Sequence, residues 1–155
     1  VISQQVAKMF LFSCYTGLSI ANLLSLTFKQ IEGDKVKFFR EKTKTWHYVE
    51  LSKTALALIG DTVNCQPSGK VFTTLDYHQS LYRLQKWGKQ AGIQKKLKFH
   101  LGRHTFATLS LTQGVDVYTV QKLIGHKKLA TTQIYAKVID SVKRKAVDAL
   151  PQLEL

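Results

Sequence analysis

At the start of the chain the apolar positions follow a helical period, which predicts two helices. The first helix should begin at an N-cap on Ser3, run to about Tyr15 and end at Thr16 and Gly17. A shorter helix should cover roughly residues 19–26. One face of the first helix is marked by residues that recur three and four positions apart: Val6, Met9, Phe10 and Ser13.

The period then changes from helical to extended. Residues 35–42 and 46–51 are rich in β-branched and aromatic side chains, and a polar turn near residues 43–45 separates them. This pattern predicts a β-hairpin or a small meander.

The rest of the chain is mainly helical. Residues 53–60 form a short helix, and residues 61–75 a loop with an extended piece at Val71 and Phe72. The fold class that follows is α+β, mostly α-helical with a small antiparallel β-sheet. The later helices are marked by apolar stripes and end signals: residues 81–91 before Gly92, 106–110 before Gly114, 117–124 between an Asp116 cap and Gly125, 132–138, and 140–150 before Pro151.

Composition narrows the class of protein. The chain has 155 residues, is 45% hydrophobic and lacks an apolar run long enough to span a membrane, so we expect one globular domain and no membrane association. Its two cysteines do not form a CxxC motif, which argues against a disulfide scaffold or a cysteine zinc site. The chain starts without Met or a signal sequence, so we expect a piece of a longer cytoplasmic protein.

The charge is strongly one-sided. Lys and Arg number 23 against 10 acids, and between Asp76 and Asp140 the only acid is Asp116. Such a block repels itself unless a polyanion screens it, so nucleic acid is favoured as partner over a merely soluble basic surface. The scarcity of carboxylates also makes a Mg²⁺ site a poor fit.

A first group of candidate site residues lies in the segment His100-Leu101-Gly102-Arg103-His104. His100 and Arg103 are three residues apart, so one helical turn directs both to the same point. The spacing of His100 and His104 is that of a zincin helix, but Leu101 stands where that motif needs Glu. Without a metal, a protein that acts on phosphodiesters needs positive side chains and a nucleophile, and Tyr is a candidate. Composition does not choose among the six tyrosines.

Residues 100–138 resemble the catalytic core of the tyrosine recombinases, the phage integrase family. The family motifs are His-x-x-Arg, a Gly-His pair and a Tyr nine residues later, and they stand here at His100, Arg103, His126 and Tyr135. Upstream, CYTGLSIANLLSLTFKQI resembles the family's first catalytic box, and REKTKTWHYVEL resembles the strand pair that carries its catalytic lysine.

The resemblance implies the fold and function of a tyrosine recombinase catalytic domain over residues 1–155, with the family's N-terminal DNA-binding domains absent. It implies a site-specific recombinase or integrase of a mobile element that cleaves and rejoins double-stranded DNA through a 3′-phosphotyrosyl intermediate without a cofactor or metal. It further suggests a homotetramer on DNA, joined through the C-terminal segment, in the bacterial cytoplasm at the nucleoid. The alternative is that the C-terminal segment, residues 136–155, packs against its own domain.

Residue roles carry over from the same resemblance. Tyr135 is the nucleophile and Arg103 clamps the scissile phosphate. His100 and His126 donate to its oxygens, and Lys42 protonates the leaving 5′ oxygen. Lys44 competes with Lys42 for that role. The residues expected to hold the DNA backbone are Lys44, Lys95, Lys96, Lys98, Lys127 and Lys128.

One position departs from the family pattern. Ser19 stands where the first box has Arg, as in similar integrases of conjugative transposons. Ser is a good helix N-cap but does not replace a bidentate cation. Arg40, two residues before Lys42 on the same strand face, is our candidate substitute, the alternative being an ordinary surface Arg. Two further functions stay open: a DNA-binding domain that has lost catalysis, and a type IB topoisomerase.

Overall fold

The structure is a computed structural model that describes residues 2–40, 44–62, 64–73, 76–124 and 136–149. The chain divides into two compact units, Val1–Phe106 and Ala107–Leu155. Within the described residues, no helix combines the length and apolarity needed to cross a bilayer.

Helix α1 (Ile2–Thr16) is the central helix of the first unit. All four positions of the predicted stripe are buried, and Phe12 and Thr16 are buried as well, so protein surrounds most of the helix. The N-cap prediction for Ser3 is wrong. Helical structure already includes Ile2, which stands at helical spacing from Val6.

The extended segments form a three-stranded antiparallel sheet in the order β1-β2-β3, with β1 at Ile31–Glu32, β2 at Lys35–Arg40 and β3 at Thr45–Glu50. The predicted meander is therefore confirmed. The two-residue strand β1 is an addition to the prediction, since so short a strand has no detectable alternation. Gly33, with φ of 63°, allows the tight connection from β1 to β2.

The remaining helices of the first unit surround α1. Helix α1 packs against α3 and α4, where Ala55 and Leu84 are fully buried. The Asp76 carboxylate caps α4 by accepting from the backbone N–H of His78 at 2.8 Å. The elements are α2 (Ile20–Ser25), a single 3-10 turn (Phe28–Gln30), α3 (Lys53–Ile59) and α4 (Tyr77–Gln90).

Helix α5 (His100–Thr112) begins in the first unit and continues past the boundary at Phe106. Helix α6 (Val117–Ile124) lies in the second unit. Its predicted cap is confirmed, because Oδ1 of Asp116 accepts from the backbone N–H of Thr119 at 3.0 Å.

Helix α7 (Ala136–Asp148) corrects the prediction of two separate helices in this region. Asp140 does not start a new helix. It lies inside α7 and pairs with Lys143 one turn later at 3.8 Å, and the sequence around it contains no Gly or Pro that would interrupt the helix. Residues 132–135 of the predicted helix lie outside the described residues.

Candidate functional site

The first turn of α5 presents three basic side chains. His100 is exposed, and Arg103 and His104 are half-buried. The rings of His100 and His104 meet edge to face, with centroids 5.5 Å apart. The first turn contains no acidic residue. The prediction that one helical turn carries both His100 and Arg103 is confirmed, because α5 begins at His100.

Arg103 contacts the loop between α1 and α2. Its Nη1 donates to the carbonyl oxygen of Gly17 at 3.1 Å. Gly17 is buried and has a φ of 69°, a left-handed conformation that glycine adopts without strain. The structure thus joins the His-x-x-Arg segment to the segment CYTGLSIANLLSLTFKQI.

This loop is held by short hydrogen bonds from the end of α1. The Ser13 hydroxyl donates to the carbonyl of Leu18 at 2.8 Å, and the Gly17 N–H donates to the carbonyl of Ser13 at 2.9 Å. At the far end, the Ser19 hydroxyl accepts from the Asn22 N–H at 3.4 Å and caps α2. The predicted N-cap role of Ser19 is therefore confirmed.

Gly102 is a packing residue that the sequence analysis did not identify. A Cβ on Gly102 would lie 2.8 Å from both Cβ and Oγ of Ser13 and 3.2 Å from the carbonyl oxygen of Phe10. Only a residue without a side chain fits between the two helices. A glycine inside a helical pattern is a signal of close backbone approach, and it could have been read from the sequence.

The positive charges around this turn act on His104. The pKa of His104 is lowered, first by burial and then by the positive charges of His100, Arg103 and Lys95. Nearby on α1, burial raises the pKa of the Cys14 thiol to about 11, against the opposing effect of a hydrogen bond with Thr105. Cys14 is therefore a buried thiol that resists ionisation.

The other predicted site residues are spread over the chain. Lys95, Lys96 and Lys98 are exposed between α4 and α5. Lys44 is exposed in the turn before β3, with φ of 50°, and Arg40 ends β2 opposite Thr45. The remaining predicted residues lie outside the described residues: Lys42, His126, Lys127, Lys128 and Tyr135.

Helix α4 carries a polar surface that the sequence analysis counted only as part of the basic block. Its residues line an open concave space of about 530 Å³. Tyr82, at the centre of this surface, is 68% exposed. We call this the α4 surface; it consists of His78, Gln79, Tyr82, Arg83 and Lys86.

Residues 2–141 match the model of the family described as "Phage integrase family". The chain belongs to the phage integrase family. It is 34% identical over 138 residues to the tyrosine recombinase XerA of Saccharolobus solfataricus, an alignment that covers 87% of this chain and 47% of that protein. The chain therefore spans about half the length of the curated relatives it matches.

Two solved structures show the same fold. The catalytic domain of bacteriophage HP1 integrase superposes with a TM-score of 0.65 and 22% identity, over 97% of this chain and 91% of that one. The Tn1549 transposon integrase in complex with circular intermediate DNA superposes with a TM-score of 0.55 and 18% identity, over 85% of this chain and 53% of that one. The fold is that of a tyrosine recombinase catalytic domain, as the sequence predicted.

Proposed function

We propose that the chain is the catalytic domain of a site-specific DNA recombinase that serves the integration or excision of a mobile element. The observation that carries this proposal is the hydrogen bond from Arg103 to Gly17. It joins two segments that resemble separate catalytic boxes of one family. The names of the relatives support recombination, and the transposon integrase among the structural neighbours supports a mobile element.

The charge around Arg103 fits a bound phosphate. The N-terminal end of a helix carries a partial positive charge, and α5 adds the guanidinium of Arg103 and the imidazole rings of His100 and His104, without an acid in its first turn. An anion placed here is attracted by the helix terminus and by the guanidinium of Arg103. Arg103 then offers a planar fork that matches two phosphate oxygens.

The proposed reaction conserves the phosphodiester energy. The phenol oxygen of Tyr135 forms a bond to phosphorus, and the bond from phosphorus to the 5′ oxygen breaks. Lys42 gives its proton to that oxygen. His100 assists the transfer of the phenol proton away from Tyr135 by accepting it, and His100 and His126 hydrogen-bond the phosphate oxygens. The products are a 3′-phosphotyrosyl ester and a free 5′ hydroxyl. Attack by a 5′ hydroxyl reverses the step, so rejoining needs no ATP.

The acid can be assigned by changing the leaving group. A 5′-phosphorothiolate substrate releases a thiolate, which needs no proton. It should therefore restore cleavage to Lys42→Ala, whereas Lys44→Ala, if its role is backbone contact, should gain nothing specific from it. Rescue of Lys44→Ala alone would transfer the role of acid to Lys44.

We propose that Arg40 supplies part of the charge missing at Ser19. Arg40 ends β2, the strand that leads towards Lys42. Arg40→Ala should slow cleavage strongly and Arg40→Lys partially, because Lys keeps the charge but not the fork. Wild-type rates in both variants would exclude this role.

Double-stranded DNA is the proposed partner, held by the α4 surface and by the lysines between α4 and α5. Replacing Lys95, Lys96 and Lys98 with Ala should reduce the slope of log affinity against log salt by about 2 to 3, since each phosphate contact contributes roughly 0.9. A control triple variant takes exposed lysines from other elements, Lys8, Lys29 and Lys53, and should keep the slope.

We further propose that residues 1–155 are one domain of a longer recombinase that acts at the bacterial nucleoid. In this proposal its C-terminal segment, residues 136–155, joins protomers in a homotetramer. The 63% exposure of Val147 on α7 supports a contact beyond the described fold. A mass measurement on DNA with and without residues 139–155 separates tetramer assembly from packing within one chain.

The experiment that tests the function is a nicked suicide substrate, from which the freed end diffuses away, incubated with the full-length protein. A covalent protein–DNA band that is absent in Tyr135→Phe supports the recombinase. Salt-sensitive binding without a covalent band would instead indicate a DNA-binding domain. Relaxation of supercoiled plasmid without sequence preference would indicate a topoisomerase of type IB.

A further inference from the structure

Gly102 on α5 lies directly against α1. The atoms that a Cβ would meet there are Cβ and Oγ of Ser13 and the backbone oxygen of Phe10. Neither the Cβ atom nor the backbone oxygen can turn away, so a side chain at Gly102 would push the helices apart. At Gly88 in α4 a Cβ would lie 2.6 Å from Cδ1 and 3.0 Å from Cγ of Leu97, and both are side-chain atoms that a rotation of Leu97 can move.

The Gly102–Ser13 contact is connected to Arg103 by a short series of hydrogen bonds. Ser13, which touches Gly102, donates through its hydroxyl to Leu18 and accepts through its carbonyl from the N–H of Gly17. The carbonyl of Gly17 then accepts from Arg103, the residue that follows Gly102 on α5. The loop is thus tied to α1 by Ser13 and to α5 by Arg103.

We propose that Gly102 is a positioning residue for Arg103. The absence of a side chain lets α5 lie close enough to α1 for the guanidinium to reach the Gly17 carbonyl, while Ser13 holds the loop that carries this carbonyl. The catalytic consequence rests on the proposed function, but the placement of Arg103 does not. A misplacement of about 1 Å in a reacting site typically costs about 10²-fold in rate.

The test compares Gly102→Ala with Gly88→Ala, a second buried glycine inside a helix of the same unit. Each is measured for the single-turnover rate at saturating nicked substrate, for DNA affinity and for folded fraction. Gly102→Ala should lower the rate about 10- to 100-fold with affinity changed less than about threefold. Gly88→Ala should change the rate less than about threefold. A wild-type rate in Gly102→Ala, or an equal loss in both variants, overturns the proposal.

A second-site change tests the contact itself. Ser13→Gly removes the Cβ and Oγ atoms that a Cβ on residue 102 would meet. Because Ser13→Gly also removes the hydroxyl bond to Leu18, it is measured alone as the reference, and adding Gly102→Ala to it should cost less rate than Gly102→Ala costs in the wild type. An equal cost of Gly102→Ala in both backgrounds contradicts the steric argument. If Gly102→Ala does not fold, Ser13→Ala tests the hydrogen bond from the Ser13 hydroxyl to Leu18, which holds the loop. An unchanged rate and an unchanged Arg103 signal in Ser13→Ala contradict the proposal.

A spectroscopic readout separates this proposal from the proposed function. In NMR spectra recorded without DNA, the side-chain Nε–Hε signal of Arg103 reports on the hydrogen-bonded guanidinium. It should shift and broaden in Gly102→Ala and stay unchanged in Gly88→Ala. An unchanged signal in Gly102→Ala overturns the positioning role. A wild-type protein that forms no covalent adduct, with these shifts present, overturns the proposed function alone.

Discussion

Arg103 and Gly17 are 86 residues apart in the sequence, and a 3.1 Å hydrogen bond from Nη1 to the backbone carbonyl joins them. The bond fixes one edge of the guanidinium against the loop between α1 and α2. Because the guanidinium is planar and carries five donors, fixing one of them orients the others. The structure therefore orients a cation at the start of α5.

The cleavage rate should depend on the shape of the Arg103 guanidinium as well as on its charge. Arg103→Ala and Arg103→Lys should each lower the rate of covalent adduct formation by about 10²–10³-fold, since an oriented donor in such a site contributes that much. Lys keeps the charge but loses the fork. The rates are measured in single turnover, with exposed Lys8→Ala on α1 as control. An Arg103→Lys variant as fast as wild type would show that charge alone suffices.

Ser19 should contribute to stability through its cap on α2. Ser19→Ala removes the acceptor for the Asn22 N–H and should lower the free energy of unfolding by about 1 kcal/mol. For a domain of this size this corresponds to about 2–4 °C in Tm. Ser19→Asp, which also caps well, should retain most of the stability in urea or thermal unfolding. An Ala variant as stable as wild type would contradict the cap.

The two cysteines should differ in reactivity. Cys14 is buried with a pKa of about 11, so about one thiol in 10³ is ionised at pH 8. Cys65 is partly exposed. Iodoacetamide should therefore modify Cys65 first in the folded protein and both residues in denaturant, as peptide mapping reveals. The Cys65→Ser variant should be almost unreactive while folded, and rapid modification of Cys14 in it would contradict the burial.

Mild acid should destabilise the fold through His104. Its folded-state pKa is lowered by burial and by His100, Arg103 and Lys95, so the unfolded chain binds a proton at higher pH than the folded one. Above about pH 6.5, the pKa of a histidine in the unfolded chain, His104 costs the fold no stability. As the pH drops below this value, the free energy of unfolding decreases. Between pH 7.5 and 5.5, His104→Gln should lose less Tm than wild type. Equal losses would contradict this contribution.

The elements that depend on local sequence could be predicted. The caps at Ser19 and Asp116 are bonds between a side chain and the backbone two or three residues away, and their residue types signal them directly. The meander followed from two segments rich in β-branched and aromatic residues around a polar turn. The strand Ile31–Glu32 could not be found this way, because two residues show no period.

The arrangement of the site depended on contacts between distant segments. The family resemblance implied that Arg103 belongs with a first catalytic box, but only the packing of α5 on α1 shows that the acceptor is the Gly17 carbonyl. Gly102 could have been suspected as a glycine inside a helix. Its partner Ser13, 89 positions earlier in the printed sequence, follows from tertiary structure alone.

The most direct test of the central claim is the identity of the atom that holds the DNA. The full-length protein is trapped on a labelled suicide substrate in the presence of a chelator. The covalent complex is then digested with a protease, and mass spectrometry identifies the residue that carries the nucleotide in each labelled peptide. We expect one nucleotide-bearing residue, Tyr135, with undiminished yield in chelator. DNA attached to any other residue, or attachment that requires a divalent ion, would contradict it.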